Sequence, residues 1–226
     1  MPLINFVKNL IVFIIRNLKN CYSVLDGNNL DNFYIPNLFI KNIIMINPNK
    51  IKYINSIPMK FYKSTKLISK FNWDKKNKVL KEYEKKNYES ITCKELFIKN
   101  ISVEKCRTYF FFKKKILKFK KFKDCKNHND IISFLNRKIN LYENIKKNGV
   151  KINLNSNIQF MIDRNHNLVK INSGNHRFAI SRILKLKKIP VEVKVIHENC
   201  FSKNLNKKIK SKDINKIIHK VASKYA

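Results

Sequence analysis

The sequence predicts an α+β fold, a small mixed β-sheet with packed helices and helical extensions at both ends. Three observations predict it. Apolar runs of strand length, bounded by turn residues, recur at 38–48, 158–162, 168–172 and 190–197. Longer stretches at 75–106 and 129–147 carry helical composition or helical apolar spacing. Residues 158–197 then run hairpin, helix, strand without interruption. A length of 226 residues allows one elaborated domain. There is no internal repeat and no linker rich in Pro, Gly or Ser. The expected organisation is an N-terminal helix and loop over 1–36, one domain over 37–200 with its core at 158–197, and a C-terminal helical tail over 201–226.

Taken in order, Leu3, Phe6, Val7, Leu10, Ile11, Ile14 and Leu18 fall at helical spacing, with Lys8, Arg16 and Lys19 mainly on the other side. The unbroken apolar run, Leu10–Ile15, is far short of the roughly 20 residues that span a bilayer. The segment reads either as a basic amphipathic helix on an anionic membrane surface or as a helix packed on the domain or a partner. Asp26-Gly27-Asn28-Asn29 is turn chemistry within a loop over 21–36. LFIKNIIMINP reads as a strand ending at Pro48, with a short helix or turn around Asn49–Tyr53. A further strand near Lys66–Phe71 leads to Trp73-Asp74, and helices follow over 75–106.

FFFKKKILKFKKFKD at 110–124 interleaves rings with lysines. That pattern fits a nucleic-acid strip, where bases stack on rings and lysines meet phosphates, and it equally fits a lysine-coated helix or strand. Ile131, Ile132, Leu135, Ile139, Tyr142 and Ile145 mark one helix face, and Gly149 stands where a C-terminal cap belongs.

In the 158–197 segment, Ile158–Ile162 and Leu168–Asn172 form a hairpin about the polar turn Asp163-Arg164-Asn165-His166-Asn167. His176–Lys185 is helical, with Ala179, Ile180, Ile183 and Leu184 on one face and Ser181, Arg182 and Lys185 on the other. Pro190 opens a last strand that ends at His197.

The chain holds 49 Lys+Arg against 15 Asp+Glu, a net charge of +34. Arginine stands only at 16, 107, 137, 164, 177 and 182, and the remaining basic residues are lysine. Abundant Lys, Asn and Ile share A/T-rich codons, so coding bias is one source of the charge and an anionic partner is the other. Either way the protein carries a strong positive field. The five cysteines are odd in number and scattered, which fits reduced thiols in a cytoplasmic protein, with peripheral membrane contact through 3–18 as the variant. Cys125 and His128 form a lone C-x-x-H pair with no second pair to complete a zinc site, so no metal site is assigned.

One of only 3 glycines sits in INSGNHRFAI, at a strand-to-helix turn. The first turn of a helix has free N–H groups and a partial positive charge, which suits an anion. Glycine permits positive φ and close approach, and Asn175 is expected to cap the helix. His176 and Arg177 follow as a donor or proton-transfer group and a bidentate fork for phosphate. The plain alternative is that Gly174 and Asn175 only shape a turn.

SGNHRFAISRILKLKKIPVEVKVI resembles the core of the ParB/sulfiredoxin-like superfamily, whose shared motif is a Gly-x-[His/Arg]-Arg turn opening a helix, then an Ile-Pro-Val strand. More narrowly the chain is similar to ParB-like nuclease-domain proteins with an upstream Trp-Asp pair, here Trp73-Asp74, and a His after the last strand, here His197. The resemblance implies that Ser173, Gly174, Asn175, His176 and Arg177 bind nucleotide phosphates, with ATP or CTP and Mg²⁺ as the cofactors. It implies catalytic roles for His176 and Asp74, and supporting roles for Trp73, Arg182 and His197. The implied activity is phosphotransfer or nucleotide hydrolysis. Asn175 occupies the position of the sulfiredoxin cysteine, so sulfinic-acid reduction is not expected. Partitioning proteins carry a Glu before two arginines and a DNA-binding module after the domain. Here Asn175 and His176 stand in place of the first two, and about 25 residues follow the last strand. Two other functions stay open, a nucleic-acid-binding or regulatory protein and a membrane-surface accessory protein.

Overall fold

The computed structural model describes residues 42–56, 67–70, 72–152, 156–201 and 211–226. The chain divides into two units, Met1–Ile40 and Lys41–Ala226, and every described residue belongs to the second. The expected helix at 3–18 and loop at 21–36 lie outside the described residues.

The second unit is mixed α/β, with a small mixed sheet and, among the described residues, six α-helices. The strands are β1 (Asn42–Ile46), β2 (Tyr53–Ile54), β3 (Ile68–Ser69), β4 (Lys78–Val79), β5 (Gln159–Ile162), β6 (Leu168–Lys170) and β7 (Ile189–His197). The helices are α1 (Leu80–Lys86), α2 (Tyr88–Phe97), α3 (Arg107–Phe119), α4 (His128–Asn148), α5 (Asn175–Ile183) and α6 (Ser211–Tyr225). The sheet order is β1-β7-β5-β6-β2-β4, and β3 joins the far end of β7. β7 is long enough to hold two neighbours on one side, β1 antiparallel along Ile189–Val193 and β3 parallel at Ile196–His197. β5 runs parallel to β7, and β5 and β6 form the antiparallel hairpin.

β7 is built from β-branched residues and is buried at nearly every position, as a strand with neighbours on both sides should be. Its register against β5 slips by one residue: Phe160 faces Val193, but Met161 faces Val195. The bulge at Lys194 re-aims the strand. Val193 joins the main core with Phe160, Ile162, Leu168 and Phe178, whereas Val195 joins Trp73, Met161 and Ile171.

α6 completes the main core rather than trailing from it. Ile218, Val221 and Tyr225 are buried there, and the Tyr225 carbonyl accepts the Asn47 N–H at 2.5 Å. A second core gathers α2, α3 and α4 around Leu96, Tyr109, Phe112, Ile131 and Leu135. α5 lies between the two. Phe178 faces the sheet, while Ala179 and Ile180 pack with Cys93 of α2 and Ile145 of α4. Asn127 caps α4 through the Asp130 N–H, and Gly149 ends it at φ +68°. No helix among the described residues is long and apolar enough to cross a membrane.

Candidate functional site

The turn that opens α5 follows from two constraints on Gly174. Its backbone is left-handed, φ +70° and ψ 28°, a conformation that favours glycine. A Cβ at this position would lie 2.9 Å from the Ile158 Cα and 3.0 Å from its Cγ1. The turn therefore packs directly on the chain entering β5. Gly174 is itself the N-cap residue, and among the described residues no side chain caps the first turn. This corrects the expectation for Asn175: with the left-handed glycine at the cap, its Oδ1 turns to accept from Lys170 Nζ at 3.0 Å.

Lys170 is the residue the sequence reading missed. It is fully buried beneath the turn, and its ammonium donates to the carbonyls of Ile171 and Ser173 as well as to Asn175. Burial lowers its pKa to about 7, with Glu89 acting against the shift and the Arg177 charge adding to it. The Ser173 carbonyl points toward this ammonium, so the N–H of the same planar peptide, that of Gly174, points the other way. Ser173 Oγ donates to the Asn157 carbonyl at 3.0 Å. The Asn157 amide donates to Glu192 Oε2 at 3.3 Å, and Gln159 does so at the same distance. Glu192 is buried and pairs with Lys194 at 2.8 Å. The only sequence signal for Lys170 and Glu192 was a charged residue inside an apolar strand run, LVKI and PVEV.

Arg177 lies at the third position of α5. Its Nη2 donates to the Ser156 carbonyl at 3.0 Å, and the Ser156 hydroxyl lies 3.4 Å away. Burial lowers its pKa, and among the described residues no carboxylate pairs with it within 4 Å. The turn thus joins Ser173, Gly174, Asn175 and Arg177, with a second cation below.

His176 turns away from this group. Its ring meets Tyr88 of α2 edge-on at 6.4 Å and Phe134 of α4 at 6.3 Å. Its Nε2 is buried without a hydrogen-bond partner among the described residues. Burial, reinforced by the charges of Lys138 and Lys123, lowers its pKa to about 3, so the imidazole is neutral. In this geometry it is an aromatic packing residue between helices.

Asp74, Trp73 and His197 come together, but elsewhere. The hairpin tip is shaped by Asp163, whose Oδ1 accepts the N–H groups of Asn165 and Asn167 at 3.0 and 2.8 Å. That turn delivers Arg164, whose Nε and Nη2 reach the two Asp74 oxygens at 2.6 and 2.7 Å. His197 Nδ1 accepts the Asn199 N–H at 3.1 Å, and its Nε2 lies 3.8 Å from Asp74 Oδ1 and 3.4 Å from Arg164 Nη2. The Trp73 ring lies 5.8 Å from the imidazole. Burial pushes Asp74 upward, but the Arg164 bonds and the nearby His197 and Arg164 charges overcome it and hold the pKa below its ordinary value. This cluster occupies the tip of the hairpin and the Gly174 turn its base, roughly 13–20 Å of strand apart at about 3.3 Å per residue. The structure does not bring Asp74 to the turn.

Arg182 lies near the C-terminal end of α5, paired with Glu84 at 2.9 Å and donating to the Pro48 carbonyl at 2.9 Å. It edges a separate cavity of about 690 Å³ whose walls include Lys52, Tyr53, Lys81, Lys94 and Ile98. No protein-family model matches the chain, and neither a curated protein nor a solved structure matches it significantly.

Proposed function

We propose that this chain is a nucleotide-binding protein of ParB/sulfiredoxin type that receives phosphate groups at the Ser173–Arg177 turn. One observation carries the reading: Arg177, half-buried beside the cap of α5, bonds neutral oxygens of Ser156 and has no carboxylate partner among the described residues. A half-buried guanidinium with no carboxylate partner gains from a bidentate anion. The start of α5 adds a partial positive charge at the same place, and Lys170 braces the turn from beneath through Ile171, Ser173 and Asn175.

Phosphotransfer or hydrolysis on a bound nucleotide requires Mg²⁺ and a proton acceptor. Glu192 is already engaged by Lys194, Asn157 and Gln159, so Mg²⁺ would arrive on the nucleotide and be held chiefly by its phosphates. Glu192, linked to Ser173 through Asn157, is the carboxylate best connected to the turn, ahead of Asp74. Isothermal titration with ATP, CTP and GTP in Mg²⁺ tests the reading. Binding of at least one nucleotide is expected, and Arg177→Ala should weaken it by about 1.5–3 kcal/mol, the value of a charged hydrogen-bond contact. Equal binding by wild type and Arg177→Ala, or none by either, would overturn it.

A further inference from the structure

α3 exposes more apolar surface than its place in the fold requires. Its inner side, Thr108, Tyr109 and Phe112, is buried in the helical core. Yet Phe110 is 57% exposed, Phe111 39%, Leu117 79% and Phe119 54%. Exposed large apolar residues gathered on one element mark an interaction surface. They are interleaved with Lys113, Lys114, Lys115 and Lys118, and Lys120, Lys121 and Lys123 follow directly. Lys115 Nζ lies 5.6 Å from the Phe111 ring centre and 5.3 Å from that of Phe119, and Lys118 Nζ also lies 5.3 Å from Phe119. Phe111, Lys115, Lys118 and Phe119 therefore share one face of the helix.

We infer that α3 and the lysines after it form a platform for single-stranded nucleic acid. The chemistry selects this occupant. A polyanion with stackable faces uses both components at once, its bases on the rings and its phosphates on the lysines. A membrane-surface helix segregates its apolar face from its charged face. α3 has already spent its continuous apolar face on the core, and its outward rings are mixed with lysine. A duplex offers phosphates but no free base faces. The helix is about 20 Å long, at 1.5 Å per residue, enough to follow a few nucleotides of an extended single strand. This platform is separate from the Gly174 turn, and its test does not depend on nucleotide binding.

The test is fluorescence anisotropy on the full chain with a labelled oligothymidylate, a duplex of the same length, and a range of salt. Phe119→Ala changes no charge and touches an exposed position of that face, so it isolates stacking. Single-strand affinity should fall by about 5- to 150-fold for each ring that stacks, while duplex binding stays unchanged. Phe119→Tyr keeps the π-face and should retain affinity. The wild-type salt slope for the single strand should be about −0.7 per phosphate contacted. If the alanine variant binds the oligothymidylate like wild type, diffuse charge accounts for the binding and the platform is wrong. The inference is equally overturned if the chain binds vesicles of phosphatidylserine and phosphatidylcholine through these rings but ignores the oligothymidylate.

Discussion

Replacing Gly174 with alanine separates what the turn needs for packing from what it needs for a ligand. At φ +70° and ψ 28°, an L-side chain costs about 1–2 kcal/mol. The added Cβ would stand 2.9 Å from the Ile158 Cα and 3.3 Å from the Asn157 carbonyl oxygen. Backbone cannot rotate out of the way, so either α5 or the chain entering β5 must shift, at about 1–3 kcal/mol more. The sum is a loss of about 2–5 kcal/mol, slightly offset by a less flexible unfolded chain. For a unit spanning Lys41–Ala226 that is a fall in Tm of about 4–20 °C. Urea unfolding should show a lower midpoint at unchanged slope. Gly174→Asn eases the left-handed strain but keeps the collision, so it should recover only part of the loss. An alanine variant within about 0.5 kcal/mol of wild type, the range of an ordinary surface change, or full recovery by asparagine, would refute the close packing on Ile158.

His176→Phe should be as stable as wild type or more so near pH 7, because it removes a buried nitrogen that has no partner among the described residues. The folded imidazole titrates near 3 against an ordinary 6.5, so the unfolded chain binds the proton first. Wild type therefore loses up to about 1.4 kcal/mol per pH unit as pH falls from 6.5 toward 3, and the phenylalanine variant should lack that loss. Matching acid denaturation profiles would contradict the packing role. The Asp74 carboxyl titrates below its ordinary 3.8, so its contribution is fully present above that pH and is lost as pH falls through the lower folded value. Arg164→Met removes the bonds that overcome its burial, so Asp74 should then titrate above its ordinary value. The variant should be destabilised at pH 7, and its deficit should narrow on acidification. Urea midpoints at pH 7 and pH 4 decide this, and a deficit independent of pH would argue against it.

The hairpin, α5, β7 and α4 were legible because each is set by local periodicity and by turn residues within a few positions. β2 and β4, two residues each, were not. They exist only through pairing, Tyr53 against Val169 of β6 and against Val79. α6 reads as a tail in sequence because nothing local reveals that Tyr225 and Val221 close the main core. The position of the turn was legible, but its side-chain directions were not. Whether His176 faces an anion or two aromatic rings depends on α2 and α4, which are remote in sequence. The cap of α5 passed from Asn175 to Gly174 because a buried lysine competes for the asparagine oxygen. Trp73, Asp74 and His197 do converge, but around Arg164, which the sequence offered only as a hairpin-turn residue.

The glycine content of this chain makes the central claim directly measurable. With ¹⁵N-glycine labelling, the amide spectrum contains only Gly27, Gly149 and Gly174. Adding a nucleoside triphosphate with Mg²⁺ should shift the Gly174 resonance, leave Gly149 in place, and have a much smaller effect in Arg177→Ala. A Gly174 resonance unmoved at nucleotide concentrations that saturate binding would place the phosphates elsewhere and contradict the account.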